Sequence, residues 1–562
     1  MPRPDTLPWE KAWDGPSTVG AAWRRSLRAC PDKDAVRDSH GLIYTYAEAD
    51  ALADRLAVHL AHNGVGRGHV VSCQLPGWAE FLPIYVACLK LGAVINPIPA
   101  NMRLRELRQI LGRCRSRALL VPRSYRRYAY CTMTGEVADV ADLRCVLAVD
   151  KFGEGSQLPT LGDVGARKPE GTAEWGWPED AEEPDATAAI IFTSGSEGEA
   201  KGVRLSHRNI LAAERAFSRF FGLDTRDVMF MPAPVAHAIG FHHGVSLPLM
   251  LGATTVLQDH FQAGEALRLM AEHRATVTMA STPFLYDLLG ELRSQGPGAR
   301  PPKTLRFFIC GGSAPNLGLV REARERELKV LNVYGSTESV PHMGTPPDAE
   351  DAQLECQALV PMPGVQVRVV DRHGRDVAPG EVGEEISAGA AVFQGYLDAP
   401  EATARALRDG WHHSGDLCRR LADGTYRITG RVKEIIVRGG ENISSQEVEG
   451  LLLEHPNIGE AAVIGMPDAR LQERVCAFVT LRDAHAPLTL ADIADHFSAL
   501  SVAKIKYPER LEILAAMPRT ESGKIDKAVL RSAVTGGAGA ADHGACREGP
   551  GRTPEASGRE GL

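Results

Sequence analysis

An apolar run, Ala188-Ala189-Ile190-Ile191-Phe192, leads straight into Thr193-Ser194-Gly195-Ser196-Glu197-Gly198-Glu199-Ala200-Lys201-Gly202, a hydroxyl- and glycine-rich stretch that ends in one lysine. The run reads as a buried strand. Ser206 to Phe221 reads as an amphipathic helix with Ile210, Ala213, Phe217 and Phe220 on one face. Strand, loop, helix in that order is the geometry of phosphate-handling loops in α/β proteins. Glycines let backbone N–H groups approach phosphate oxygens, hydroxyls add donors, and a lysine supplies a compact positive charge. Thr193, Ser194, Gly195, Ser196, Gly198 and Lys201 are therefore candidate nucleotide contacts, with ATP the first ligand they suggest. The loop is not a Walker A sequence, because Gly202 and not Ser or Thr follows the lysine. An ordinary P-loop kinase or GTPase is disfavoured.

A chain of 562 residues exceeds what one core supports, so two or more domains are expected. Composition is that of a globular protein, 44% hydrophobic and 24% charged with a net charge of −8, and no basic tract interleaved with aromatics invites nucleic acid. No run reaches the roughly 18 apolar residues of a membrane span. Met1 to Pro16 lacks the apolar core of a secretory signal, and a cytoplasmic location is expected. The 11 cysteines are dispersed without CxxC pairs or metal-ligand spacing, so they read as small buried hydrophobes, Cys310 among them near a site.

From residue 20 to 150 helical patterns and short apolar strands trade places, with a helix over Tyr46 to Asn63 and a strand over Val70 to Cys73. Phe152 to Asp185 is rich in Gly, Pro and acid and reads as a surface excursion. Ala253 to Leu257, Ala275 to Ala280, Leu305 to Cys310 and Val330 to Val333 read as parallel strands, and open α/β sheets bind ligands at such carboxyl ends. The loops Gly311 to Pro315 and Tyr334 to Ser339 lie there. Gln366 to Tyr426 is shorter in period and β-like, and a compact second α/β pattern follows Gly430. The expected fold class is α/β, with a large N-terminal domain (1–430) of parallel-rich subdomains plus a small β segment. A hinge (431–433), a small C-terminal α+β domain (434–534) and a disordered tail (535–562) complete it.

Four further motifs follow the loop in order: Tyr334-Gly335-Ser336-Thr337-Glu338, Ser414-Gly415-Asp416, Gly430-Arg431-Val432-Lys433-Glu434 and Pro518 to Lys524. With the loop they resemble the adenylate-forming superfamily of acyl- and aryl-CoA synthetases, peptide-synthetase adenylation domains and firefly luciferase. The resemblance implies a two-step reaction. A carboxylate attacks the α-phosphorus of Mg·ATP to give acyl-AMP and pyrophosphate, and a thiol then displaces AMP.

By that resemblance Glu338 binds Mg²⁺, Thr337 contacts the α-phosphate, Tyr334 stacks on adenine, and Gly335, Gly312 and Ala314 border the nucleotide. Asp416 accepts from the ribose hydroxyls, Arg431 donates to ribose or phosphate, and Lys524 reaches carboxylate and α-phosphate from a mobile small domain. Lys433 resembles the hinge that withdraws Lys524 and presents Gly439 and Gly440 to a pantetheine arm. The loop departs from the family pattern at Ser196, Glu197 and Ala200, and Glu197 adds negative charge where phosphates pass.

The segment Pro232 to Phe241 holds no carboxylate to pair a substrate ammonium, so the acid lacks an α-amino group. His237 resembles the gate beside the carboxylate tunnel, and Phe241, Phe284, Leu285, Gly311, Gly312 and Ala314 are candidate walls of an apolar acyl pocket. The closest likeness is to short- and medium-chain fatty-acyl and cyclohexanecarboxylate CoA ligases. The acceptor it implies is coenzyme A. The alternative is the phosphopantetheine of an acyl carrier protein in trans, served by a stand-alone adenylation enzyme for an aryl or acyl group.

Overall fold

Near-continuous apolar strands such as Phe307–Cys310, buried at every position, pack on both faces and so belong inside parallel sheets. The structure is a computed structural model and describes residues 15–137, 139–150, 158–166, 177, 183–193, 200–312, 315, 317–350, 353–354, 358–431, 435–483, 486–518, 525 and 527–535. Among these, nine strands form one sheet in the order Val360–Pro361, Val340–Gly344, Val330–Ser336, Phe307–Cys310, Val277–Ala280, Val228–Met231, Thr254–Leu257, Asp34–Asp38 and Ile43–Thr45. Its inner pairs are parallel. Their carboxyl ends carry Ser281, Gly311 and the turn after Ser336, as the strand reading expects.

A second sheet of seven strands runs Gly395–Tyr396, Lys201–Ser206, Thr187–Thr193, Val94–Pro97, Val70–Cys73, Ala118–Pro122 and Cys145–Val149. One core cluster joins the two sheets through the helices between them, including Tyr46–His62 and the fully buried Phe81–Leu91. A capping box starts the first of these: Thr45 N donates to Glu48 and Glu48 N to the Thr45 hydroxyl.

Two expectations change here. Lys201–Ser206 is a strand antiparallel to Thr187–Thr193, with Lys201 opposite Thr193, and the helix His207–Phe221 begins only after it, capped by Ser206. Val203 and Leu205, two positions apart, are both buried, the spacing of one strand face. The candidate phosphate loop therefore connects two antiparallel strands.

The stretch read as a surface excursion also contributes to the core. Leu161 and Val164 of the helix Leu161–Ala166 are buried, and Trp177 lies over Gly20, where a Cβ would approach its ring to 2.9 Å. Beneath Trp177 the ammonium of Lys90, 1% exposed, sits 4.9 Å from the ring centroid and pairs with Asp50 at 2.9 Å and Asp54 at 2.6 Å.

Five strands from Gln366–Val370 to Tyr426–Arg431 form the expected β segment. A smaller C-terminal domain follows. Its mixed sheet runs Glu441–Ser444, Ile435–Arg438, Gln472–Leu481 and Ile458–Asp468, with Arg510–Ile513 parallel to Gln472–Leu481. Ion pairs Arg105–Glu454 (3.2 Å) and Arg470–Asp287 (2.9 Å), and the bond from Ala503 N to Glu106 (3.0 Å), fasten this domain to the large one. No helix among the described residues is long and apolar enough to cross a membrane.

Lys90→Ala strips Asp50 and Asp54 of their shared cation. It should cost about 2–4 kcal/mol, given that both carboxylates keep some solvent, read as a lower urea midpoint of unfolding. Arg226→Ala, which breaks an exposed pair with Asp224, should leave that midpoint in place.

Candidate active site

Strand Val330–Ser336 and the turn after it deliver Tyr334, Gly335, Thr337 and Glu338 to one end of the nine-stranded sheet. Only glycine fits at 335, where a Cβ would lie 2.1 Å from Val340 O. The Tyr334 hydroxyl donates to Asp416 Oδ2 at 2.8 Å and reaches Glu385 Oε2 at 3.4 Å. Burial raises the Tyr334 phenol well above its ordinary range, with Glu385 and Asp416 adding to the effect, so it stays a donor. Two residues assigned to the nucleoside from separate motifs thus meet through one hydrogen bond. Asp416 also stands opposite Arg431 in the antiparallel pair of Trp411–Arg420 with Tyr426–Arg431.

Glu338 lies in the turn, half-buried, and its carboxylate Oε1 accepts from the Tyr396 hydroxyl at 2.8 Å. Its main-chain oxygen accepts from Phe393 N at 2.8 Å. The Lys201 ammonium sits 5.3 Å from the centroid of the same Tyr396 ring. Cation and carboxylate therefore share one aromatic neighbour.

A second pole forms where the C-terminal domain touches the large one. Gly439 and Gly440 make the turn between Ile435–Arg438 and Glu441–Ser444 with φ of +61° and +87°, a conformation that suits glycine. The Ser281 hydroxyl donates to Gly439 O at 3.2 Å. A Cβ on Gly440 would come within 2.7 Å of Ser281 Oγ, and one on Gly312 within 3.9 Å of Gly440 Cα.

Beside this turn Glu441 Oε1 contacts His237 Nε2 at 2.6 Å. Burial alone would lower the imidazole's pKa, but the Glu441 carboxylate outweighs it and raises the value. His242 and His243, on the π-helical turn Gly240–Ser246, instead clasp Glu214 at 2.7 and 3.1 Å in the core. Although burial pushes Glu214 up, His243 and His242 hold its carboxyl down to about 2.

The structure therefore brings Thr337, Glu338, Tyr334, Gly335 and Asp416 together at one pole, and His237, Gly312, Gly439 and Gly440 at the other. Thr193 and Lys201 face each other in the strand pair. Ser194, Gly195, Ser196, Gly198, Ala314, Lys433 and Lys524 lie outside the described residues, as does the side chain of Arg431.

The proposed acyl wall is not assembled as expected. Phe241 is fully buried against Tyr85, with ring centroids 5.2 Å apart, whereas Leu285 and Phe284 belong to a different cluster with Phe261. Met279 and Ile239 are the side chains that reach Gly311, 2.8 and 3.3 Å from where its Cβ would be. Cys310 is buried, as expected of a small hydrophobe, and that burial pushes its thiol up to about 12.

Sequence reasoning missed Ser281, Tyr396 and the pairing of Glu441. Ser281 had one usable signal, its place directly after the strand Val277–Ala280. Tyr396 had none.

The AMP-binding enzyme family matches residues 23–397, and the AMP-binding enzyme C-terminal domain family matches residues 447–524. The chain belongs to the AMP-binding enzymes. Among its relatives, a medium-chain fatty-acid–CoA ligase of Escherichia coli K12 is 42% identical over 522 residues, 92% of this chain and 91% of the relative. A 2-hydroxy-7-methoxy-5-methyl-1-naphthoate–CoA ligase of Streptomyces carzinostaticus is 31% identical over 535 residues, 93% and 94% of the two chains. The amide bond synthetase McbA from Marinactinospora thermotolerans has a similar structure, with TM-score 0.80 and 27% identity over 91% of this chain and 99% of its own.

For this AMP-binding enzyme the raised His237 value sets a pH dependence on the docked turn. The contact is at full strength below the ordinary histidine value of 6.5 and weakens as pH climbs through the raised one. Glu441→Gln, which leaves burial as the dominant influence on the imidazole, should move that inflection down past the ordinary histidine value. The check is the pH profile of thiol transfer from preformed acyl-AMP in both proteins.

Proposed function

We propose that this AMP-forming acyl-CoA synthetase activates a medium-chain fatty acid, or an alicyclic or aromatic acid of similar bulk, and passes the acyl group to coenzyme A. The observation that carries the reading is the docking of Gly439-Gly440-Glu441 against Ser281, Gly312 and His237. A side-chain-free turn beside the substrate end of the sheet suits the passage of a pantetheine arm. The 42% identity to the medium-chain ligase supports the acid class. So does the state of the carboxylates brought to the segment around His237: Glu214 and Glu441 are both engaged by histidines, which leaves neither to pair a substrate ammonium.

In the first step the substrate carboxylate oxygen attacks the α-phosphorus and pyrophosphate leaves with the electron pair of the broken P–O bond. Two anions must meet, so positive charge and in-line positioning decide the rate. Lys201, Arg431 and Lys524 supply the charge, and the Asp416–Tyr334 pair holds the nucleoside. Magnesium arriving with the triphosphate supplies further neutralisation. Glu338 fits it as a half-buried carboxylate. Among the described residues no cluster of three His, Cys, Asp or Glu could cage a metal alone, and magnesium takes one or two carboxylates plus phosphate oxygens and water.

In the second step the small domain turns at Lys433, Lys524 withdraws and the glycine turn docks. The thiol sulfur bonds to the acyl carbon, AMP departs with the C–O electron pair, and the thiol proton passes to solvent.

Acid-dependent ATP–pyrophosphate exchange across aliphatic, alicyclic and aryl acids, followed by mass detection of the thioester formed with coenzyme A or with a phosphopantetheinyl carrier protein, tests the reading. Exchange is expected with medium-chain acids and thioester with coenzyme A. Exchange with amino acids, or thioester on the carrier alone, would refute it. Gly440→Ala, whose methyl would strike Ser281, should keep exchange within about twofold and lower thioester formation by at least about 100-fold.

A further inference from the structure

A glutamate on a turn has three rotatable side-chain bonds, and a carboxylate that is to act at a fixed place must have them ordered by its surroundings. Glu338 is held at three points. Its N–H donates to Ser336 Oγ at 3.2 Å, its main-chain oxygen accepts from Phe393 N at 2.8 Å, and its carboxylate accepts from the Tyr396 hydroxyl at 2.8 Å. Only the last of these fixes the direction of the charge.

Tyr396 is itself well fixed. Its N–H donates to Thr403 Oγ1 at 2.9 Å, its ring meets Phe393 edge-on with centroids 4.9 Å apart, and it pairs with Val203 across the edge of the seven-stranded sheet. Gly395 before it has φ +130° and would place a Cβ 2.7 Å from Thr403, so glycine is required for this approach. Gln394 N and Leu397 N donate to Arg204 O and Gly202 O, tying the same segment to the strand that begins at Lys201. The segment from Phe393 to Leu397 thus splints the carboxylate-bearing turn of one sheet to the lysine-bearing strand of the other.

We propose that Tyr396 is a positioning residue for adenylate formation: its hydroxyl aims the Glu338 carboxylate at magnesium-ATP while its ring face carries the Lys201 ammonium. A phenol suits both tasks. Its O–H donates to an anion and leaves the carboxylate's other oxygen for a metal, and its π face attracts a cation within about 6 Å. Because the two charges lie on different sheets, one rigid side chain sets the distance between the metal site and the phosphate-binding cation. The inference rests on the reading of Glu338 as the magnesium ligand.

The test separates the two ideas. Binding of a non-hydrolysable ATP analogue is measured by calorimetry with and without Mg²⁺ in wild type, Tyr396→Phe, Tyr396→Leu and Glu338→Gln, alongside thiol transfer from preformed acyl-AMP. Tyr396→Phe keeps the ring and loses only the donor. It should weaken the magnesium-dependent part of binding by about 3- to 30-fold and leave magnesium-free binding and thiol transfer unchanged. Tyr396→Leu should in addition weaken magnesium-free binding by about 2- to 5-fold, through loss of the cation–π contact.

Wild-type magnesium dependence in Tyr396→Phe, with loss in Glu338→Gln, overturns the role of Tyr396 alone. Wild-type dependence in Glu338→Gln overturns the magnesium assignment beneath it. An equal decline of both half-reactions with a lower melting temperature in Tyr396→Phe shows a merely structural residue and also overturns the proposal.

Discussion

The interface between the two domains at the site is one backbone thick. Gly440 lies so close to Ser281 that any Cβ would sit 2.7 Å from its hydroxyl oxygen and 2.8 Å from its Cβ, and turning the hydroxyl away leaves the second clash in place. The rest of the arrangement depends on this fit. With the turn seated, Glu441 reaches His237 and Gly312 faces Gly440. A bulkier turn would hold the small domain off and leave Glu441 in solvent. Surface pairs such as Arg470 with Asp287 contribute little individually. The geometry of the glycine pair therefore decides the docked arrangement, and the charges decide how long it persists.

At the other pole the organising element is a set of bonds that cross between sheets. Tyr334 belongs to the nine-stranded sheet, Asp416 to the five-stranded one and Tyr396 to the edge of the seven-stranded one. The spacing of these groups is fixed by three sheets. Such a site is preorganised because each contact is held by packing at a distance from it.

The motif residues were legible in the sequence through the family pattern they resemble. Tyr334 and Asp416, from separate motifs, meet through one hydrogen bond, and Gly439 and Gly440 form a turn against Ser281. The parallel strands ending at Ala280 and Cys310 were legible as well, since a strand buried on both faces leaves an unbroken apolar run. Partnerships between distant residues were not. Tyr396 meets Glu338 across 58 positions of chain, and nothing in either neighbourhood encodes the other. Lys201 was read as the end of a hydroxyl- and glycine-rich loop, although Val203 and Leu205 beyond it are spaced as on one strand face. Phe152 to Asp185 was read as a surface excursion because it is rich in Gly, Pro and acid, yet its Trp177 covers Lys90. The acyl wall failed for a similar reason: Phe241 and Leu285 are both apolar and helical, and periodicity does not say which of two cores receives each.

Both large sheets taper to very short outermost strands. The nine-stranded sheet ends at Val360–Pro361 on one side and at the three residues Ile43–Thr45 on the other, and the seven-stranded sheet closes on one side with Gly395–Tyr396. Pro361 has no N–H to offer, and two or three residues present too few unpaired backbone groups to template another chain. Margins this short disfavour edge-to-edge polymerisation, and the tyrosine that finishes one margin is the same residue that holds the Glu338 carboxylate.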